Sequence, residues 1–174
     1  RCGRIEHTMS LTKSRYEKTQ KAMALELGYL NVLAVPKITK VSVNVGVGRL
    51  SDEKQREVVR ETLSTLTGQR AVPRRAKKAI AAFKTRVGQV IGYSVTLRGR
   101  RMYEFLDRLV NTALPRTRDF KGIPETAFDR EGNLTIGIRE HIVFPEMIGE
   151  DVRFIFGLEV TVVTTAKNRA EGVT

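Results

Sequence analysis

No aspartate or glutamate lies between Glu61 and Glu104, an interval that holds ten of the chain's 31 Lys and Arg. That gap excludes local neutralisation, so one region carries a concentrated positive field. Cysteine is nearly absent: Cys2 stands alone, which rules out an internal disulfide or a cysteine cluster for zinc and is compatible with a reducing cytoplasm. Only two histidines occur, His7 and His141, with no HxxxH or HxxE spacing for a metal. His141, in "REHIVFPE", reads as a surface or packing histidine rather than a general base, and no serine sits in an elbow motif. Catalytic machinery has no candidate here; no metal and no cofactor is expected. No run approaches the roughly 18 apolar residues that a membrane-spanning helix needs. The opening RCGRIEHTMSLTK lacks the apolar segment of a secretory signal. Repeats, low-complexity tracts and Pro/Ser-rich linkers are also missing. One domain is therefore expected over residues 13–168, with 1–12 a disordered N-terminal extension (Met9 marks where a natural start could lie) and 169–174 a C-terminal tail.

What is present is charge. Lys and Arg outnumber Asp and Glu by 31 to 19, a net +12, which points to a polyanionic partner: RNA, DNA or an anionic membrane surface. The strand "ITKVSVNV" (38–45) alternates, with Val41, Val43 and Val45 on one side and Lys40, Ser42 and Asn44 on the other. "IGYSVTLR" (91–98) has the same grammar: Ile91, Tyr93, Val95 and Leu97 against Gly92, Ser94, Thr96 and Arg98. Two further strands are read in "FDREGNLTIGI" (Leu134, Ile136, Ile138) and "GLEVTVVTT" (157–165). Helices are expected at about 14–27, with Ser14 and Glu17 at capping-box spacing, and at about 52–67. The second is capped by Ser51 and stopped by Gly68, with Val59, Leu63 and Leu66 as its inner stripe. A third is expected at about 101–114, burying Met102, Leu106, Leu109 and Ala113 before Pro115 ends it. These elements imply an α+β domain whose helices cover one side of a sheet and leave an open polar face, a surface suited to RNA.

Two segments carry competing readings. Gly46 and Gly48 in "VNVGVGRLSDEK" suggest a dinucleotide fingerprint, but Ser51 holds the third glycine position, and a tight strand-to-helix turn is the better reading. "GQRAVPRRAKKAIAAFKTRVGQVIG" (68–92) has three readings. As a helix, it would place Ala76, Ile80, Phe83 and Val87 on one face of a basic, membrane-surface or calmodulin-type element. As a hairpin or loop bounded by Gly68, Gly88 and Gly92, it would project as a basic arm. A plain surface loop would need acidic neighbours, which are missing. The arm, with a short helix inside it, is favoured over the membrane helix. Lys and Arg without an aromatic platform suit phosphate contact and shape recognition better than base reading.

"VPKITKVSVNVGVG", "GQR…RAKKAIAAFKTRVG…IG", "VTLRGRRMYEFLDRL", "LPRTRDFKG", "FDREGNLTIGIREHIVFPE" and "TTAK" follow one another in this order. Together, over about residues 13–168, they closely resemble the bacterial-type large-subunit ribosomal protein L5 family. The resemblance implies a non-enzymatic ribosomal constituent that binds 5S rRNA in the central protuberance. By motif, Lys40, Asn44, Gln69 and Thr96 would contact 5S rRNA. The basic loop, about 72–91, would reach the peptidyl-site tRNA through Arg74, Arg75, Lys77, Lys78, Lys84 and Arg86. Large-subunit rRNA, neighbouring ribosomal proteins and a small-subunit head protein across an intersubunit bridge are the further implied partners; no membrane is. The chain departs from the family pattern at Ala71 and Val90, where proline is usual, at Pro73–Arg74, which replace an apolar–Thr pair, and at Ala79 and Ala82, which replace Ser and Gly. The usual acidic-leucine C-terminal helix is absent from "AKNRAEGVT".

Overall fold

Valine at alternate positions makes the central strand one-sided: Val41, Val43 and Val45 are fully buried while Asn44 is exposed and Lys40 and Ser42 are half-buried. The computed structural model describes residues 11–50, 52–83, 85–118, 120–147 and 154–173. Its elements, in chain order, are α1 (Leu11–Glu26), β1 (Ile38–Gly46), α2 (Glu53–Thr67), β2 (Val72–Arg75), β3 (Val90–Leu97), α3 (Gly99–Arg108), α4 (Leu114–Arg116), β4 (Leu134–Ile138), β5 (Leu158–Thr164) and α5 (Arg169–Val173). All pairings are antiparallel, in the order β2-β3-β1-β5-β4. Register matches the hydrophobic pattern. Val43 lies between Val95 and Val160, and Val41 between Leu97 and Val162, so one face of three adjacent strands is apolar.

That face is covered by helices. Asp52 caps α2 by accepting from the Lys54 N–H (3.0 Å), and Gly68, at φ 63°, ends it in the left-handed conformation that glycine adopts without a Cβ penalty. The intervening stripe of Val59, Leu63 and Leu66 joins Met102, Phe105 and Leu106 of α3 and the inward strand residues in one core cluster. Arg108 ties these layers together: one guanidinium nitrogen lies 2.9 Å from the Glu146 carboxylate, and the other donates to the Leu66 carbonyl (3.2 Å) near the α2 C-terminus. Tyr16 fastens α1, accepting from the Ile38 N–H (3.2 Å) while its ring lies 6.0 Å from that of Tyr103; burial pushes its phenol pKa up.

Several expectations shift. The first helix starts at Leu11 rather than near residue 14, and Asp52, not Ser51, caps α2; Ser51 and residues 1–10 lie outside the described residues. The third helix starts at Gly99 and opens into a π-helical turn, Leu109–Ala113, before α4. Pro115, expected to end the helix, instead lies within α4, which runs to Arg116; it has no N–H to continue the ladder, and the turn before it is widened. Residues 169–173, expected as tail, form α5, where Glu171 accepts from the Tyr29 hydroxyl (3.0 Å). His141 is a packing histidine: it is buried and stacked 4.0 Å from Phe156.

Leu63 is 1% exposed, so Leu63→Ala should cost about 2–5 kcal/mol in urea unfolding. On the same helix Val58 is 41% exposed, and Val58→Ala should stay within about 0.5 kcal/mol. Equal effects would contradict this assignment of helix faces.

Candidate nucleic-acid interface

The strand residues between the buried ones build the opposite face. Antiparallel register sets Ser94, Asn44, Glu159 and Gly137 side by side across β3, β1, β5 and β4. The next row is Thr96, Ser42, Thr161 and Thr135, with the Thr135 and Thr161 hydroxyls 3.4 Å apart. Lys40 follows, opposite Val163, beside an irregularity in register that leaves Thr39 unpaired. The face is a hydroxyl- and amide-bearing surface, and none of its side chains belongs to the core cluster.

One cation has an unexpected place. Arg74 belongs to β2, opposite Gly92, so it stands on this sheet face rather than in the loop beyond it. Gly92 presents no side chain there, and the Arg74 Nε donates to the Ser94 hydroxyl at 2.6 Å. Ser94, expected open, is consequently buried at 8% exposure. The glycine is required on its own strand as well: a Cβ would come 2.9 Å from the Val45 carbonyl oxygen.

The remainder of the basic segment is a closed turn rather than an amphipathic α-helix. Ala76 donates to Gln89 (2.8 Å), Gly88 donates back to Ala76 (3.0 Å), Ile80 bridges Thr85, and a single 3-10 turn spans Ala81–Phe83. A short Ala–Lys run is marginal as an isolated helix, and β2–β3 pairing holds its ends at hairpin distance. Ile80, Phe83 and Ile91 line a cleft of 1180 Å³ with Phe154 and Ile155, and Arg49, Lys77 and Lys78 stand around it. Ile91, expected in the core, is 37% exposed there, where the strand runs past the covered part of the sheet.

Of the residues implicated from sequence, Lys40, Asn44 and Thr96 share the polar face. Gln69 lies outside the strands, in the turn between Gly68 and β2. Arg75, Lys77, Lys78 and Arg86 are exposed on or beyond β2, and Lys84 lies outside the described residues. Sequence reasoning missed Thr135, Thr161 and Glu159 on this face; the alternation in "GLEVTVVTT" contained the signal for two of them, but their strand order did not appear in it.

Helices on one side and a polar, cation-bearing sheet on the other define a basic α+β protein with an open platform. Residues 31–86 match the family model described as ribosomal protein L5, and residues 90–174 match the model of the same ribosomal family's C-terminus. The chain belongs to the ribosomal protein L5 family, whose members are structural, non-enzymatic components of the ribosome. It is 50% identical over 165 residues to the large ribosomal subunit protein uL5 of Synechococcus sp. (strain RCC307), covering 94% of this chain and 92% of that protein. Identity is 48% to uL5 of Mesoplasma florum (93% of this chain, 91% of that one) and 51% to uL5 of Anaeromyxobacter sp. (strain K) (92% and 90%).

Glycine roles on this face separate in a stability measurement. Gly92→Ala should lose about 1–3 kcal/mol, because the new methyl meets backbone. A Cβ at Gly137 would meet nothing within 4 Å, so Gly137→Ala should stay within about 0.5 kcal/mol. Comparable losses in thermal unfolding would refute the close approach of β1 to Gly92.

Proposed function

We propose that the protein is a structural constituent of the large ribosomal subunit in the cytoplasm. In this reading it binds 5S rRNA in the central protuberance through the open sheet face. The basic segment at 72–91 contacts peptidyl-site tRNA, and the domain also meets large-subunit rRNA, neighbouring ribosomal proteins and a small-subunit head protein across an intersubunit bridge. The observation that carries the reading is the continuous polar face over four strands in a chain of net charge +12. The printed names of the relatives, large ribosomal subunit proteins, support the subunit.

The chemistry divides between two surfaces. On the sheet, Lys40 supplies charge and Asn44, Ser42 and Thr96 supply hydrogen bonds at fixed spacing, about 4.8 Å between strands, which suits a rigid RNA backbone with its 2′-hydroxyls. Gln69 approaches the same RNA from the turn before β2. In the basic segment, Arg75, Lys77, Lys78, Lys84 and Arg86 meet phosphate without base readout. Arg74 works with the sheet, given its bond to Ser94.

Replacing Lys40 and Asn44 together by Ala should weaken 5S rRNA binding about tenfold in a mobility shift at fixed salt, with the unfolding midpoint kept. Undiminished affinity would remove the sheet from the proposal. Lys77→Glu with Lys78→Glu should lower the salt slope of RNA binding by about 1.5 and reduce peptidyl-tRNA occupancy on reconstituted ribosomes. Loss of 5S rRNA binding with tRNA occupancy intact would reverse the assigned division of labour.

A further inference from the structure

At one end of the polar face the sheet loses its side chains. Asn44 and Gly46 of β1, Glu159 and Gly157 of the β5 strand line, and Gly137 and Arg139 of the β4 strand line border a shallow hollow of 460 Å³. The register that pairs Asn44 with Glu159 and Glu159 with Gly137 puts these six residues on the same side, in two rows of three. Three of the six are glycines, and a Cβ at Gly46 or Gly137 would meet nothing within 4 Å. The bare floor measures about 10 Å by 7 Å from strand spacing and rise, the outline of a purine lying flat on peptide planes. The polar side chains at its border are Asn44, Glu159 and Arg139; among the described residues none of them has a hydrogen-bond or ion-pair partner.

Glu159 is the anomaly. It is an exposed carboxylate on the face that the proposed function gives to a polyanion. Beside phosphate it would only repel. Its favourable role is to accept from a base. Guanine alone presents two adjacent donors, N1–H and the N2 amino group, to the two carboxylate oxygens. Adenine and cytosine offer one amino group beside an acceptor nitrogen, and uracil one N–H between two carbonyls. Asn44, directly across from Glu159, has an amide donor for the neighbouring guanine O6. We propose that this hollow, on the 5S rRNA reading above, is a subsite for one unstacked guanine, read by Glu159 and Asn44 and stacked on the glycine floor, with Arg139 meeting its phosphate. It supplies the base specificity that the phosphate-directed basic segment lacks.

The test is a sign test with a 5S rRNA transcript. Glu159→Gln removes a negative charge but puts an amide donor against guanine donors, so affinity should fall about 5- to 150-fold. Gly137→Ala, whose Cβ would meet nothing within 4 Å and would stand on the floor, should also weaken binding. Kethoxal, which attacks the guanine N1/N2 edge, should find one guanine protected in the wild-type complex and reactive in the saturated Glu159→Gln complex. Inosine at that position should reproduce the loss with wild type and add none with Glu159→Gln. Tighter or equal binding by Glu159→Gln, with kethoxal protection retained, overturns the guanine subsite and leaves 5S rRNA binding standing. Failure of the wild-type protein to bind the transcript overturns the proposed function and the subsite with it.

Discussion

Val41, Val43 and Val45 are fully buried on one side of β1, each worth about 1.5–3 kcal/mol relative to exposure, and this one-sided burial governs the sheet around it. Because strand side chains alternate, a one-residue slip against β3 or β5 would turn all three toward water and bring Lys40, Ser42 and Asn44 beneath the helices. The register is held by this exchange, and the polar face follows from it. Lys40, Asn44 and Thr96 lie together because the residues between them cannot be anywhere but under α2 and α3.

The charge has a similar origin in geometry. β2 is an edge strand whose four residues are all exposed, and Pro73, Arg74 and Arg75 give it the proline and charge that discourage edge-to-edge pairing. The same residues bring cations to the border of the polar face. Arg74 lies over Gly92 and reaches Ser94, so a basic side chain is fixed on the sheet by a glycine on the neighbouring strand. No carboxylate lies in the sequence from 62 to 103, so this edge carries no neutralising charge within its own segment.

The entry to the basic edge is held by a backbone donor. Ala71 is buried and its N–H donates to the Ser64 hydroxyl at 3.1 Å. Proline could not make that bond. The turn leading from α2 into β2 is thus held by a hydrogen bond to the helix, and the start of the basic edge is positioned from the core side.

Periodicity made the strands and the two core helices legible, because alternation and the 3.6-residue stripe are local consequences of burying one face. Lys40, Asn44 and Thr96 could be placed on polar strand faces for that reason, and the motif order pointed to the family. What a single strand does not contain is its neighbour. That Glu159 stands beside Asn44, that Arg74 belongs to the sheet and Gln69 to a turn, and that glycines from three strands leave one bare patch are matters of pairing between residues up to 115 positions apart. The acid-free basic run was visible, but its conformation was not: its helix propensity is weak and local, and the antiparallel pairing of its two ends outweighed it. Local alternation indicates which way each strand residue faces, but exposure on that face depends on neighbours, as buried Ser94 beneath Arg74 and exposed Ile91 show. Which wet residues meet is settled only in the assembled sheet, because strand order and register are what bring distant polar groups onto one surface.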